Sequence, residues 1–468
     1  MAITSNDAIS AILKTWYKDG VENLLFRNSP VLKKIDKTRV EGKEQAFAAV
    51  YSRGGAVAPD FLVAKTKAAE NVKNAEFKVT PGQLFSVFNY NAKEVQASVS
   101  KRGAYMKVAA NKMFAATEAF RKTLAASLYG RGYGEIGYVT LSASLVQGTP
   151  VDITLTEDAI IKIDVGSVIA IKATTSGAEV ARLEVNSIDE VSGTVNVTPA
   201  TSVTITSDTD YVVALAGSMD ASGNGIMPMG LDGWLPIVNG RSGATWTSFI
   251  GTTWNNVNRA VAADRLAGQF YAETNANAKM SDSVTALLRK VRRAGGVPNM
   301  IIMNDKDWYK LAKEIETTNT LFSQTSEKGK KKATMGFSDF AAAFSTNWID
   351  NVYDDPYCPE GKFYILDSSA VEYFAYTNAD DVRDGVADNE PGKQDPMEFD
   401  NKAPGADAAY KLLIDDILTV EPGEATSDGP AVRATLNFFG SLAVTNPSVT
   451  GVGMFYTATP EKVLGYLA

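Results

Sequence analysis

The chain has 468 residues, room for several domains, and its 45% hydrophobic and 21% charged residues support buried cores with no large part reading as disordered. It has no histidine and one cysteine, Cys358, so histidine-based catalysis, histidine metal sites, an intrachain disulfide and a paired-cysteine zinc site are all excluded, and a buried thiol is the expected role of Cys358. A net charge of −8 argues against a dedicated nucleic-acid binder, and no apolar run approaches the length of a bilayer span.

The first residues carry no basic region followed by an apolar one, so the start reads as cytoplasmic and not as a secretory signal. Residues 6–36 read as a short amphipathic helix capped by Ser5 or Asn6, with Ile9, Ile12, Leu13 and Trp16 on one face. An apolar patch, Val21, Leu24, Leu25 and Phe26, follows and breaks at Asn28-Ser29-Pro30. Over 43–90, Phe47, Ala49 and Tyr51 alternate with their neighbours, Arg53-Gly54-Gly55-Ala56 interrupts, and 65–78 is charged. Phe77 and Val79 alternate again, and Leu84, Phe85, Val87, Phe88 and Tyr90 make a second β-like run. Two strands around a long polar excursion predict a projecting hairpin, which buries little of itself and needs a neighbour to lie on.

Residues 102–129 carry the strongest helical pattern: Met106, Ala110, Met113, Phe120, Leu124 and Leu128 share one face, and no proline interrupts. Such a helix is roughly 40 Å long, and Gly130 is placed to stop it. The run Arg131-Gly-Tyr-Gly-Glu-Ile-Gly137 follows a helix instead of a strand, so it reads as a hinge or loop and not a dinucleotide fingerprint. Over 138–217 the composition shifts to Val, Ile and Thr, with Tyr211 the only aromatic after Tyr138. Short alternating runs at 139–146, 151–155, 160–163, 168–172, 181–185, 193–197, 203–205 and 211–215 predict an all-β module, a small barrel or sandwich.

Residues 218–258 are glycine-rich and then carry Trp234, Trp246 and Trp254; 259–295 read as helical with a basic end. A buried strand at 297–303, a helix at 305–316 and a polar lysine-bearing loop at 322–336 follow. Segments 337–349, 363–366, 371–376 and 412–420 alternate helix and strand around an acidic loop at 378–408, and 435–445 ends in Asn446-Pro447. The acidic loop fails the calcium-loop pattern at Val382 and Pro391, leaving a solvated surface, a weak divalent site or a contact with a neighbouring subunit. Asp354-Asp355 and Asp415-Asp416 are adjacent pairs whose side chains diverge on a strand, a poor arrangement for acid/base work. Arg289, Lys290, Arg292 and Arg293 suit the end of a helix dipole. Lys328, Lys330, Lys331 and Lys332 read as a solvated loop, with packaged DNA or acidic residues of a neighbour as the sharper option.

In this order the elements resemble the HK97-like major capsid family of tailed bacteriophages along nearly the whole chain. The resemblance is carried by Asn28-Ser29-Pro30-Val31-Leu32, Leu128-Tyr129-Gly130 and Met229-Gly230-Leu231-Asp232-Gly233-Trp234. It continues through 294–304 (Ala-Gly-Gly-Val-Pro-Asn-Met-Ile-Ile-Met-Asn) and 438–447 (Phe-Phe-Gly-Ser-Leu-Ala-Val-Thr-Asn-Pro). The resemblance implies an α+β fold: N-terminal arm 1–42, extended loop 43–92, spine helix and start of the peripheral domain 93–137, rest of the peripheral domain 218–258, axial domain 259–430, and returning strands 431–468. The all-β domain at 138–217 departs from the pattern as an insertion.

The resemblance implies a structural subunit with no catalytic residue, cofactor or metal, assembling with itself into hexamers and pentamers of an icosahedral head in the host bacterial cytoplasm. It implies a portal, possible auxiliary head proteins, only non-specific contact with double-stranded DNA, and no membrane. The absence of a long helical segment before the arm predicts a separate scaffolding protein. Candidate inter-subunit residues are Trp16, Leu24, Phe26, Arg53, Lys65, Lys67, Glu70 and Lys73. Candidate lumen or neighbour contacts are the four lysines of 328–332. Some members of the family crosslink a loop lysine to an asparagine; Lys65, Lys67, Lys73 and Lys78 lie in the loop here, where lysines also serve solubility alone. The alternatives are an encapsulin-like compartment shell and, from another class, a carboxylate-dependent hydrolase, for which no facing acid pair can be placed.

Overall fold

The structure, a computed structural model, describes residues 31, 35–40, 42–52, 57–67, 73–91, 108–140, 144–204, 210–318, 324–327, 330–333, 351–375, 418–422, 431–460 and 463–467. The chain divides into two units. One comprises Met1–Asn28, Ser86–Arg121 and Leu418–Leu436, and the other Ser29–Phe85, Lys122–Ile417 and Asn437–Ala468. In the first lies most of the helix Val108–Ser127, together with an antiparallel ladder in which Leu418 faces Leu436 and Pro422 faces Val432.

The end of that long helix differs from the sequence expectation. It tightens through hydrogen bonds from Leu128 N to Ala125 O (3.4 Å), Tyr129 N to Ala126 O (3.3 Å) and Gly130 N to Ser127 O (3.1 Å). These three-residue turns satisfy the last carbonyls without a left-handed glycine. The left-handed positions come later, at Gly132 (φ 88°) and Gly134 (φ 70°), where the chain turns into the next strand.

The hairpin is Gln45–Ser52 with Lys73–Val79, antiparallel, Phe47 opposite Phe77. The expected second strand was the run at 84–90; instead Gly82–Asn91 pairs with the long strand Ala431–Val444. The charged stretch concealed the true partner because Glu76 and Lys78 alternate with its apolar residues. Glu76 is exposed and Lys78 half-buried, while Ala75, Phe77 and Val79 are buried. Between the two strands the helix Phe61–Lys67 replaces a plain polar excursion, with Asp60 Oδ1 accepting from Leu62 N at 2.7 Å.

The valine-rich stretch forms a six-stranded antiparallel sheet. Its order is Glu135–Thr140, Asp210–Leu215, Val168–Lys172, Glu179–Asp189, Thr194–Pro199, Val151–Thr154. The sheet curls until its two edge strands come into contact, around a core that includes Ile153, Ile169, Leu183, Val195 and Val213. Residues 160–163, expected as a strand, instead end the helical turn Glu157–Ile160. Ile160, the last residue of that turn, and Ile163, just beyond it, are both buried.

A second sheet is mixed: Gln269–Ala272, Gly451–Met454, Lys362–Leu366, Met300–Met303, Asn351–Asp354. The helices Met280–Arg293 and Asp305–Thr318 cover it through Val284, Leu287, Val291 and Leu311. The region 259–295 is thus not helical throughout. Gly268 (φ 74°) ends the short helix Ala263–Leu266 and releases the strand at 269–272. The lysine loop contains a hairpin, Gln324–Glu327 with Lys330–Ala333, in which Lys330 faces Glu327. A third group pairs Asp36–Arg39, parallel, with Val371–Ala375, which is antiparallel to residues 440–444 of the long strand.

Candidate functional site

The segment Met229–Trp234 is a joint. Gly230 passes so close to the end of the long helix that a Cβ there would collide with the carbonyls of Leu128 and Ser127. The approach lets Leu231 N donate to Leu128 O at 2.7 Å, while Met229 O accepts from Leu442 N at 2.8 Å. Trp234 then donates its indole N–H to Leu442 O at 2.7 Å. One glycine-enabled turn therefore ties the helix end to the long strand.

Asp232 makes the same turn the anchor of a buried polar group. Its Oδ2 accepts from Lys362 Nζ at 2.5 Å and its Oδ1 from the Tyr364 hydroxyl at 2.7 Å, with Asp232 and Lys362 both essentially without solvent. The Tyr129 hydroxyl donates to Asp355 Oδ2 at 2.8 Å, and the Tyr129 and Tyr364 rings lie 5.8 Å apart. Burial first, then the carboxylates Asp355 and Asp232 respectively, hold the Tyr129 and Tyr364 hydroxyls well above their ordinary values. Both stay protonated donors at neutral pH. Asp355 faces inward and Asp354 outward, so the adjacent acids diverge as strand geometry requires. Cys358 is buried, and burial raises its thiol out of the reactive range.

Around the joint, aromatic rings fix the base of the hairpin. Phe77 lies 5.3 Å from Trp234, Phe47 lies 5.8 Å from Trp234, and Trp254 meets Trp234 edge-on at 4.8 Å. Backbone bonds add Lys78 N to Asn255 O at 3.1 Å, and Arg265 donates to Tyr51 O. Arg259 is buried over the Trp254 ring at 4.1 Å and donates to Gly233 O. Its burial, with Arg131 and Arg241 nearby, pulls it down to about 9, still charged at neutral pH.

Beyond that base the hairpin's apolar groups are uncovered. Phe61 is 77% exposed, Leu62 69% and Val63 49%, all on the helix between the strands. A helix that presents three consecutive large apolar side chains to water has an unfilled contact surface. A second exposed pair, Phe85 and Phe439, stack edge-to-face at 5.7 Å on neighbouring strands.

Of the residues singled out in the sequence, Lys65 is exposed on this helix and Lys73 at the start of the returning strand, with the backbone of Lys67 on the same helix. Trp16, Leu24, Phe26, Arg53, Glu70 and Lys328 lie outside the described residues, as do 337–349, 378–408 and Asp415-Asp416. Lys330, Lys331 and Lys332 share one strand and are not brought to the hairpin helix by any strand pairing described. Sequence reasoning missed the apolar helix and the Asp232–Lys362–Tyr364 group. The first was signalled by Phe-Leu-Val directly after the capping Asp60, the second by a lysine opening the strand Lys362–Leu366, in which every residue is buried.

No protein-family model matches the chain, and no curated protein matches it. Among solved structures, the capsid asymmetric unit of cyanophage A-1(L) is similar over 96% of this chain and 99% of its own, with 14% identity and a TM-score of 0.53. The holo-SrpI encapsulin complex of Synechococcus elongatus PCC 7942 aligns over 98% and 99%, at 10% identity and a TM-score of 0.42. A structure from Mycobacterium phage Bobi aligns over 98% and 100%, at 10% identity and a TM-score of 0.44. The cyanophage likeness runs over nearly the whole chain, and on it the chain has a mixed α+β, HK97-like capsid fold.

Proposed function

We propose that this chain is the major capsid protein of a tailed bacteriophage, a subunit whose work is burial of surface between copies and not turnover of a substrate. The observation that carries this reading is the near-full-length likeness to a cyanophage capsid chain. The uncovered helix Phe61–Lys67 supports it, because an element built this way gains stability only against another surface. In this reading 1–42 is the arm, 43–92 the extended loop, 93–137 the spine and the start of the peripheral domain, and 259–430 the axial domain. The curled β sheet is a domain inserted at 138–217. Arm and loop lie across neighbouring subunits, and the total interface per subunit runs to thousands of Å². Heterologous contacts of this kind close into hexameric and pentameric rings. A separate scaffolding protein and a portal complete the head, and DNA is enclosed with non-specific contact only.

The test is expression with and without the proteins encoded beside it, followed by sizing and electron microscopy. Closed shells, hexamers or pentamers are expected, with uniform shells only when the scaffold is present. Uniform shells from this chain alone would remove the scaffold and favour an encapsulin-like compartment. A compact monomer in both cases would sink the shell reading.

A further inference from the structure

The chain's negative charge is concentrated in one place. Residues 378–400 hold eight carboxylates, from Asp380 to Asp400, against Arg383 and Lys393, a net of −6 within a chain whose total is −8. The opposite charge is concentrated elsewhere. An open cleft of about 1100 Å³ gathers Arg241, Arg265, Lys290 and Arg293, with Asp264 its only carboxylate among the described residues. These cations come from three elements: the turn Asn239–Arg241, the helix Ala263–Leu266 and the last turn of Met280–Arg293.

Among the described residues none of the four forms an ion pair. Three are held by neutral carbonyls instead. Arg241 donates to Pro236 O, Ala267 O and Gly268 O, Arg265 to Tyr51 O, and Lys290 to Phe270 O at 2.7 Å. Carbonyls orient these side chains without neutralising them. The end of the helix Met280–Arg293 offers about half a negative charge, too little to account for four cations. Among the described residues the cleft is therefore positioned and, Asp264 apart, uncompensated, a surface suited to an anion.

We infer that the cleft receives the acidic segment 378–400 of a second copy of this chain. Every copy carries one cleft and one segment, so an assembly of identical subunits can satisfy each cleft with one segment, which a polynucleotide cannot guarantee. Complementary charge placed this way sets which copy meets which, and in what register. The inference rests on the shell reading for its setting, but the contact itself is measurable on unassembled protein.

The probe is a labelled peptide of residues 378–400. The receptor is the full-length chain with its own segment reversed (D380K, D381K, D384K and D388K), so that nothing competes in cis. Saturable binding is expected, weakening steeply with salt. Lys290→Glu with Arg293→Glu should weaken it at least tenfold; both side chains are exposed, and urea unfolding of the variant checks that the fold is kept. Binding that ignores the cleft reversal, or a cleft that binds duplex DNA and not the peptide, overturns the inference. Assembly gives the second reading. Segment-reversed and cleft-reversed chains should each lose shells alone and regain them when mixed. Rescue only when both reversals sit in one chain would place the contact within a subunit and overturn it. Wild-type chain that forms no shells while the peptide still binds would sink the shell reading and leave this contact standing.

Discussion

Removing Asp232 tests whether the buried polar group carries the joint. Asp232→Leu leaves the Lys362 ammonium with essentially no solvent and no carboxylate, where Asp232 now accepts from it at 2.5 Å. Stranding one member of a buried pair costs about 3–5 kcal/mol. The Tyr364 hydroxyl also loses its acceptor at 2.7 Å. An orphaned hydroxyl alone costs about 1–3 kcal/mol. Asp232→Leu combined with Lys362→Met removes both charges, so only the tyrosine penalty remains and the double variant should sit about 1–3 kcal/mol below wild type. The double variant is thus more stable than Asp232→Leu alone. Urea unfolding of the unassembled subunit, followed by tryptophan fluorescence, reads the cycle, since Trp234 is two residues from Asp232. A single variant within about 1 kcal/mol of wild type, or a double variant worse than either single, would refute the reasoning.

Three further outcomes follow from the same geometry. Gly230→Ala forces a methyl into two backbone carbonyls that cannot yield, and should cost about 3 kcal/mol or more by the same urea measurement. Burial first raises the pKa of Glu135, opposed by its own backbone and by Arg131 and reinforced by Asp232. Its folded form holds a proton more tightly than the unfolded chain, so the contribution of Glu135 to stability is full below its ordinary value of about 4.5 and is lost as pH rises through the raised value. Glu135→Gln should abolish that fall and match or exceed wild type at pH 7; a variant with an unchanged pH profile would contradict it. Phe61→Ser with Leu62→Ser and Val63→Ser should leave subunit stability within about 0.5 kcal/mol, because the side chains are largely exposed, yet prevent shell formation in the electron micrographs.

What the sequence disclosed depended on whether a period survived. Over 179–189 and 194–199 the alternation survives and the strands appear; 168–172 and 210–215 are also strands but are buried at successive positions. Periodicity misled where two patterns share residues. Lys73, Glu76 and Lys78 made the returning strand look like solvent, although Ala75, Phe77 and Val79 beneath them are buried. Ile160 to Ile163 fit a strand by composition, but Ile160 ends the helical turn Glu157–Ile160, which packs Ala159 against Gly137. The joint was visible as a motif, Met229 to Trp234, but its chemistry was not. Asp232 meets Lys362 and Tyr364 across some 130 residues, and no local rule connects positions that far apart.

The two ends of the hairpin obey opposite demands, and the contrast explains why the joint is so heavily built. Ordering a loose arm at the moment of contact would subtract about 0.5–1.5 kcal/mol for each mobile side chain from any association. Here the base is already ordered: Phe47 and Phe77 face each other across the strands at 5.5 Å and lean on Trp234, which is itself held by Leu442 O. Rigidity at the base leaves the apolar face of Phe61–Lys67 as surface whose burial is nearly all gain. The same reasoning accounts for a buried Asp232–Lys362 pair where packed leucines would be at least as stable. An apolar cluster can slide, whereas two hydrogen bonds to one carboxylate fix a single register between the turn at 229–234 and the strand at 362–366. On the proposed shell reading, a subunit that presents one surface to many identical neighbours gains more from that single register than from a marginally deeper core.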